Sequence, residues 1–149
     1  MSRIESILIR PRQGEAVQIL ESCDLVAGFG ISGDHHYRSN CLNKDQVTLI
    51  ESEALVAAER DYSISLSHEE SGRNLLTSGV YLNHLVGKVF QIGEAKLLGI
   101  ELCEPCGTLE RSTKKGVIKA LIHRGGLRAE IIKSGLIQTG DPVNIEPTA

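Results

Sequence analysis

The sequence has no tryptophan, two phenylalanines and three tyrosines, so aromatics make up 3% of its 149 residues. Single-strand nucleic-acid binders and sugar-binding clefts rely on aromatic stacking platforms, and the scarcity ranks both classes low. An excess of one charge is also missing: 16 Lys and Arg against 19 Asp and Glu leave a formal charge of -3, which excludes a nucleic-acid clamp held by bulk charge. No apolar run approaches the roughly 18 residues that a membrane span needs. At the N-terminus, MSRIESILIRPR is broken by Arg3, Glu5, Arg10 and Arg12 where a secretory signal would carry its apolar core. These absences predict a cytoplasmic protein with neither nucleic acid nor a membrane as partner. There is no internal repeat, low-complexity tract or linker, and a chain this long buries roughly 70% of the surface its unfolded form exposes. Residues 1–149 therefore read as one domain that needs no disulfide framework. The four cysteines (Cys23, Cys41, Cys103 and Cys106) read as reduced thiols whose presence chemistry or burial must explain.

What the sequence does have is strand texture. Ile4 with Ile7–Ile9, then Val17 with Ile19 and Leu20, then Val47 with Leu49 and Ile50, form short apolar runs bounded by Gly, Asn, Asp or Pro. Fifteen glycines are spread along the chain, a placement suited to turns and barrel corners. The strongest helical stretch is Glu51 to Arg60 (ESEALVAAER), acidic in its first turn and closed by Arg. Shorter candidates are Val80 to Leu85, stopped by Gly87, and Lys115 to His123, which fits neither the helical nor the strand period cleanly. The C-terminal stretch reads as strand, turn at Ser134-Gly135, a short run, turn at Gly140-Asp141-Pro142, and a final strand Val143 to Ile145. The pattern predicts a mixed, mainly β fold with a β-barrel-like core and a few short helices.

Several segments could carry chemistry. Gly28-Phe29-Gly30-Ile31-Ser32-Gly33 matches the dinucleotide fingerprint G-x-G-x-x-G, but the residues that follow have no apolar helical period, so no helix N-terminus would hold a pyrophosphate. The segment reads as a tight turn displaying Asp34 and His36. Cys103-Glu104-Pro105-Cys106 is a C-x-x-C pair. Structural zinc would need two more ligands; no second C-x-x-C or H-x-x-x-H occurs, and the adjacent His35 and His36 would point to opposite faces of an extended chain. Thioredoxin-like exchange would need a helix after the motif, and Gly107-Thr108-Leu109-Glu110 is a poor opening for one. A nucleophilic thiol with a bystander, or two small buried hydrophobes, remain open. Arg73-Asn74 can bind a phosphate or carbonyl group, and His123-Arg124-Gly125-Gly126-Leu127-Arg128 sets cations beside a glycine pair that either approaches an anion or caps a helix.

Taken in order, these pieces resemble the MOSC family, the module shared with the C-terminal domain of molybdenum-cofactor sulfurases and found as small stand-alone bacterial proteins. The resemblance rests on Gly30-x-x-Gly33-Asp34-x-His36, Gln46-Val47-Thr48-Leu49, and Arg73-Asn74-Leu75 with Gly79. It continues through Leu85-x-Gly87-Lys88-x-Phe90-x-Ile92-Gly93, Pro105-Cys106-x-x-Leu109, Gly125-Gly126-Leu127-Arg128-Ala129, and Gly135-x-Ile137-x-x-Gly140-Asp141-x-Val143. It implies a pyruvate-kinase barrel-like fold. It also implies that Cys106 either carries sulfur as a persulfide or ligates molybdenum in a bound pterin cofactor, the molybdenum cofactor. Asp34, His36, Arg73, Asn74, His123, Arg124 and Arg128 would line the cofactor site, with the arginines lowering the thiol pKa and holding the phosphate. The implied partners are a pyridoxal-phosphate-dependent cysteine desulfurase, since this chain has no pyridoxal phosphate site, and a molybdoenzyme or electron donor. The rival expectations are a molybdenum-dependent reductase component acting on N-hydroxylated compounds, and a non-catalytic scaffold. Gly72 and Asp45 stand where the family often has arginine, which predicts weaker anion affinity. Glu104, two residues before Cys106, would raise the thiol pKa unless a cation offsets it.

Overall fold

The computed structural model describes residues 1–147. In chain order the elements are β1 (Arg3–Ile9), β2 (Gln18–Leu20), β3 (Ser22–Val26), β4 (Gly30–Ile31), β5 (Val47–Glu51), α1 (Ser52–Tyr62), α2 (His68–Ser71), β6 (Leu75–Ser78), β7 (Val89–Ile92), β8 (Ala95–Leu102), α3 (Gly107–Ser112), α4 (Val117–Leu121), β9 (Leu127–Lys133), β10 (Gly135–Gln138) and β11 (Val143–Ile145). The main sheet runs β11-β7-β8-β9-β5-β6-β1-β2, and β10-β3-β4 form a smaller one. Pairing is antiparallel except between β5 and β6. That parallel pair needs a crossover, which α1 and α2 supply. The main sheet does not close as a continuous ladder. Its first and last strands nevertheless meet: Arg3 bridges Pro142, Ile4 N–H donates to the Asp141 carbonyl at 2.9 Å, and Val143 N–H donates to the Ser2 carbonyl at 3.2 Å. The mainly β, barrel-like core expected from the strand texture is thus present, with a one-bridge seam in place of full closure.

Alternation along the strands decides what faces the interior. In β9, Leu127, Ala129 and Ile131 are buried while Arg128 and Glu130 lie on the other face. The main core gathers Ile4, Ile7, Leu49, Leu75, Phe90, Ile92 and Leu97, each almost fully enclosed. A second cluster of Ala58, Leu66, Val117 and Leu121 packs α1 against α4. The helix expected over 51–60 forms as α1, whose Ala54, Ala57 and Ala58 are small enough to let it lie close to the protein body. The other two candidates shrink, to a 3-10 turn at Leu82–Leu85 and to the five residues of α4. One expectation is overturned. The stretch from Gly107 does open a helix, α3, with Cys106 as its N-cap. Pro105 falls before that cap, so its missing N–H removes no helical hydrogen bond. Among the described residues no helix is long and apolar enough to cross a membrane.

Candidate functional site

A cleft of about 280 Å³ opens where the end of β1, the turn after β4, the start of β5, the α2–β6 connection and β9 converge, and its lining includes Asp34, His36, Arg73, Asn74 and Arg128. Each is fixed differently. Asn74 is a brace between strands: its Oδ1 accepts from Thr48 N–H at 3.1 Å and from Thr48 Oγ1 at 3.0 Å, and its Nδ2 donates to the Leu8 carbonyl at 3.1 Å. Arg73 is half-buried and ties three segments together. Its Nε donates to the Gly125 carbonyl at 2.7 Å, Nη2 to the Cys103 carbonyl at 2.9 Å and Nη1 to the Ser71 carbonyl at 3.2 Å. Two of its five N–H groups are left for a ligand. The glycine pair is what permits this. A Cβ on Gly126, whose φ is +117°, would collide with the Leu49 carbonyl, and one on Gly125 would collide with the Cys103 carbonyl. The pair therefore serves close backbone packing, and α4 ends before it, at Leu121.

Asp34 organises the turn after β4. Its Oδ1 accepts from Arg10 N–H at 2.9 Å, and its Oδ2 accepts from His36 N–H and from His36 Nδ1, each at 3.2 Å. Burial pushes its carboxyl pKa up, but the His36 ring, the Arg10 and His36 amides and His35 together outweigh that and hold it below the ordinary carboxylate value. The expectation that His35 and His36 face opposite ways fails because the chain turns here. Their rings stand 4.0 Å apart, and both line the cleft.

Cys106 is exposed, whereas Cys103 is buried and borders the cleft; all four cysteines are free thiols. The Cys106 pKa is lowered from its usual value, chiefly by the Leu109 backbone N–H; burial opposes this next most strongly, and the Thr108 N–H, the Thr108 hydroxyl and lastly the Arg73 charge add to the lowering. No cap hydrogen bond to the sulfur is closed in the structure, so these donors stand ready for the thiolate. Glu104 turns away. It accepts from His123 N–H at 2.6 Å and contacts His123 Nδ1 at 2.8 Å, and it is not among the main causes of the Cys106 shift. His123 and Arg124 are not part of the cleft lining; Arg124 instead borders shallow depressions with Glu51 and Glu53 at the start of α1. Cys106 also lies outside the lining, linked to it through Arg73. Sequence reasoning gave no site role to Arg10, Thr48 or Glu69, which border the cleft; Thr48 stood in the Gln46-Val47-Thr48-Leu49 stretch, and Arg10 and Glu69 stood in no motif.

The family model of the MOSC domain matches residues 32–144, from the turn that carries Asp34 to the last strand. The chain belongs to the MOSC family. Among solved structures, this MOSC domain is similar to the YuaD protein from Bacillus subtilis, with a TM-score of 0.83 at 18% identity over 100% of this chain and 98% of that one. It is also similar to YiiM from Geobacillus stearothermophilus, with a TM-score of 0.75 at 16% identity over 99% and 76% of the two chains. YiiM from Escherichia coli gives 0.71 at 17% identity over 99% and 71%. At these identities the likeness is one of fold. No curated protein matches this chain by sequence.

Within this MOSC domain the departures from the family pattern have a structural reading. Asp45 borders the cleft with its Oδ1 3.9 Å from Arg128 Nη1, so it offsets a cation that would otherwise face a ligand. The lining carries Arg10, Arg73 and Arg128 against Asp34, Asp45 and Glu69, and its formal charges balance. The soft-donor end fits the molybdenum cofactor associated with the family: Cys106 is exposed, stabilised as a thiolate and beside a guanidinium. The phosphate end is weaker, because Asp45 competes for Arg128.

Proposed function

We propose that this domain carries sulfur as a persulfide on Cys106 for assembly of a metal–sulfur cofactor, and that the adjoining cleft receives the molybdenum cofactor or another anionic acceptor. The observation that supports this reading is the exposed Cys106 sulfur, held ready to ionise by the N–H groups of α3 and by Arg73. In the loading step the Cys106 thiolate attacks the terminal sulfur of a donor persulfide. The Cys106–S bond forms, the donor S–S bond breaks, and the donor leaves as a thiolate, so the exchange needs no external oxidant. A pyridoxal-phosphate-dependent cysteine desulfurase would supply that donor. Arg73 and Arg128 would hold the anionic end of a bound cofactor, with Asn74, His36 and Asp34 along the same walls. In the alternative reading Cys106 would instead be the protein ligand of the cofactor's metal, which would supply oxygen-atom or electron transfer.

Intact-mass measurement after incubation with a desulfurase and cysteine tests the reading. A gain of about 32 Da, one sulfur atom, that maps to Cys106 and is absent from Cys106→Ser is the expected result. No adduct on the wild-type chain would overturn the carrier role. Stoichiometric molybdenum after expression in a cofactor-competent host, without cyanide-labile sulfur, would favour the reductase component for N-hydroxylated compounds, with an electron donor as its partner. Slow alkylation of Cys106 in the native protein would favour the scaffold.

A further inference from the structure

The turn after β4 brings two imidazoles to the wall of the cleft in an arrangement suited to a cation. His35 Nδ1 stands 2.9 Å from the Arg10 carbonyl and His36 Nδ1 stands 3.2 Å from Asp34 Oδ2. A carbonyl and an ionised carboxylate only accept, so both Nδ1 atoms carry a proton, and in the neutral tautomer this selects, the lone pair lies on Nε2. Neither Nε2 has a hydrogen-bond partner among the described residues. An imidazole whose far nitrogen donates to a carbonyl or carboxylate is the usual arrangement of a metal-ligating histidine. Here it occurs twice on one turn, with rings 4.0 Å apart and one nitrogen of each ring, Nδ1 or Nε2, within 4.8 Å of the other and of an Asp34 oxygen. The side chains are 23% and 48% exposed for His35 and His36, enough for solvent to complete a coordination shell. Asp34, Asp45 and Glu69 supply negative charge in the same cleft.

We propose that His35 and His36 bind a divalent first-row transition cation of the zinc type through their Nε2 atoms. Asp34 acts as an outer-shell carboxylate: its oxygens are already engaged by the Arg10 amide and by His36, so it orients an imidazole and balances charge. Two imidazole ligands disfavour magnesium and calcium, which take oxygen. The remaining coordination positions would be filled by water or by an oxygen of a ligand bound in the cleft that Arg73 and Arg128 also line. The cation would then polarise that oxygen as a Lewis acid. This site is separate from the sulfur chemistry, since it requires no thiol.

The test is calorimetric titration of zinc chloride into the Cys106→Ser chain, which removes the exposed soft competitor. One equivalent of zinc is expected, unaffected by His123→Ala and not matched by magnesium chloride. His35→Ala and His36→Ala should each weaken zinc binding at least about 10-fold, and Asp34→Asn, which keeps one acceptor oxygen, about 10-fold or more. Cobalt titrated in place of zinc should show visible absorption bands that are lost in the double variant His35→Ala/His36→Ala, a signature that a purely structural role of the histidines would not produce. No zinc uptake by Cys106→Ser at submillimolar zinc, or uptake that survives in the double variant, would overturn the proposal. The first of these outcomes needs no histidine variant to fold, and neither bears on whether Cys106 takes up sulfur.

Discussion

Replacing Arg73 by Met should damage the fold and the thiol together, because one guanidinium serves both. The substitution removes the donor to three carbonyls, those of Gly125, Cys103 and Ser71, at 2.7, 2.9 and 3.2 Å. A hydrogen bond from a charged donor contributes about 1.5–3 kcal/mol. The longest of the three counts least, and water entering from the cleft satisfies part of what is exposed. Burial of the guanidinium opposes the gain, as its lowered pKa indicates. The net loss should be about 3 kcal/mol, a large share of the roughly 5–15 kcal/mol that holds a domain folded. For a chain of this length that corresponds to a fall in Tm of about 6–12 °C. Arg73→Lys keeps the charge but not the fork, so it should recover one carbonyl at most and remain well below wild type. The Cys106 pKa should rise in Arg73→Met, since the positive charge favours the thiolate, and should stay near wild type in Arg73→Lys. Urea denaturation and the pH dependence of Cys106 alkylation by iodoacetamide measure the two effects. Arg73→Met with a stability loss below about 1 kcal/mol and an unshifted alkylation profile would refute the reasoning.

The remaining predictions concern other parts of the fold. His68 hydrogen-bonds through Nε2 to the Arg73 carbonyl at 2.9 Å, leaves Nδ1 buried and unpartnered, and has its pKa pushed down by burial to about 4. Its unfolded form binds a proton from about pH 6.5 downward, so the native state should lose up to about 3 kcal/mol as pH falls from 6.5 to 4. A urea midpoint series over that range should flatten in His68→Gln, and an identical slope in both chains would refute the assignment. Gly126→Ala should prevent stable folding because its Cβ has no room beside the Leu49 carbonyl, while Gly28→Ala, also at positive φ but with nothing within 4 Å, should lose only about 1 kcal/mol; equal thermal melts of the two variants would contradict this. Native-state alkylation followed by peptide mapping should label Cys106 first and Cys23 last, since burial and then Asp24 push the Cys23 thiol up to about 12. Glu104→Gln should leave the Cys106 alkylation profile unchanged, because that carboxylate is occupied by His123; a shift to lower pH would show that it does act on the thiol.

Much of the local structure was legible because it follows from neighbours in the chain. β1, α1, β10 and β11 announce themselves through apolar runs, helix-forming residues and turn glycines. The order of strands was not legible, since β9 lies between β8 and β5 through contacts that no short pattern encodes. The same division runs through the site. Asp34, His36, Arg73, Asn74 and Arg128 do meet, but two of them serve the fold as much as a ligand: Asn74 braces β5 against β1, and Arg73 fastens the 103–125 region. His123-Arg124 read as part of the same cluster because a basic pair near a glycine pair looks like an anion site. The turn at His123, with φ 62°, and its contact with Glu104 send these side chains elsewhere. The pairing of His35 with His36 was hidden for a simpler reason. Strand geometry separates adjacent side chains, and a turn brings them together.

The seam between β1 and β11 has a consequence for how the molecule comes into being. Strands near the two ends of the chain must find each other before the sheet is fastened, and the walls of the cleft are drawn from positions as far apart as Leu8 and Arg128. Such distant pairings place refolding in the slower, millisecond-to-second regime. On the ribosome the cleft cannot be complete until the ninth strand, which brings Arg128, has emerged, so no ligand that needs all of its walls can be held before then.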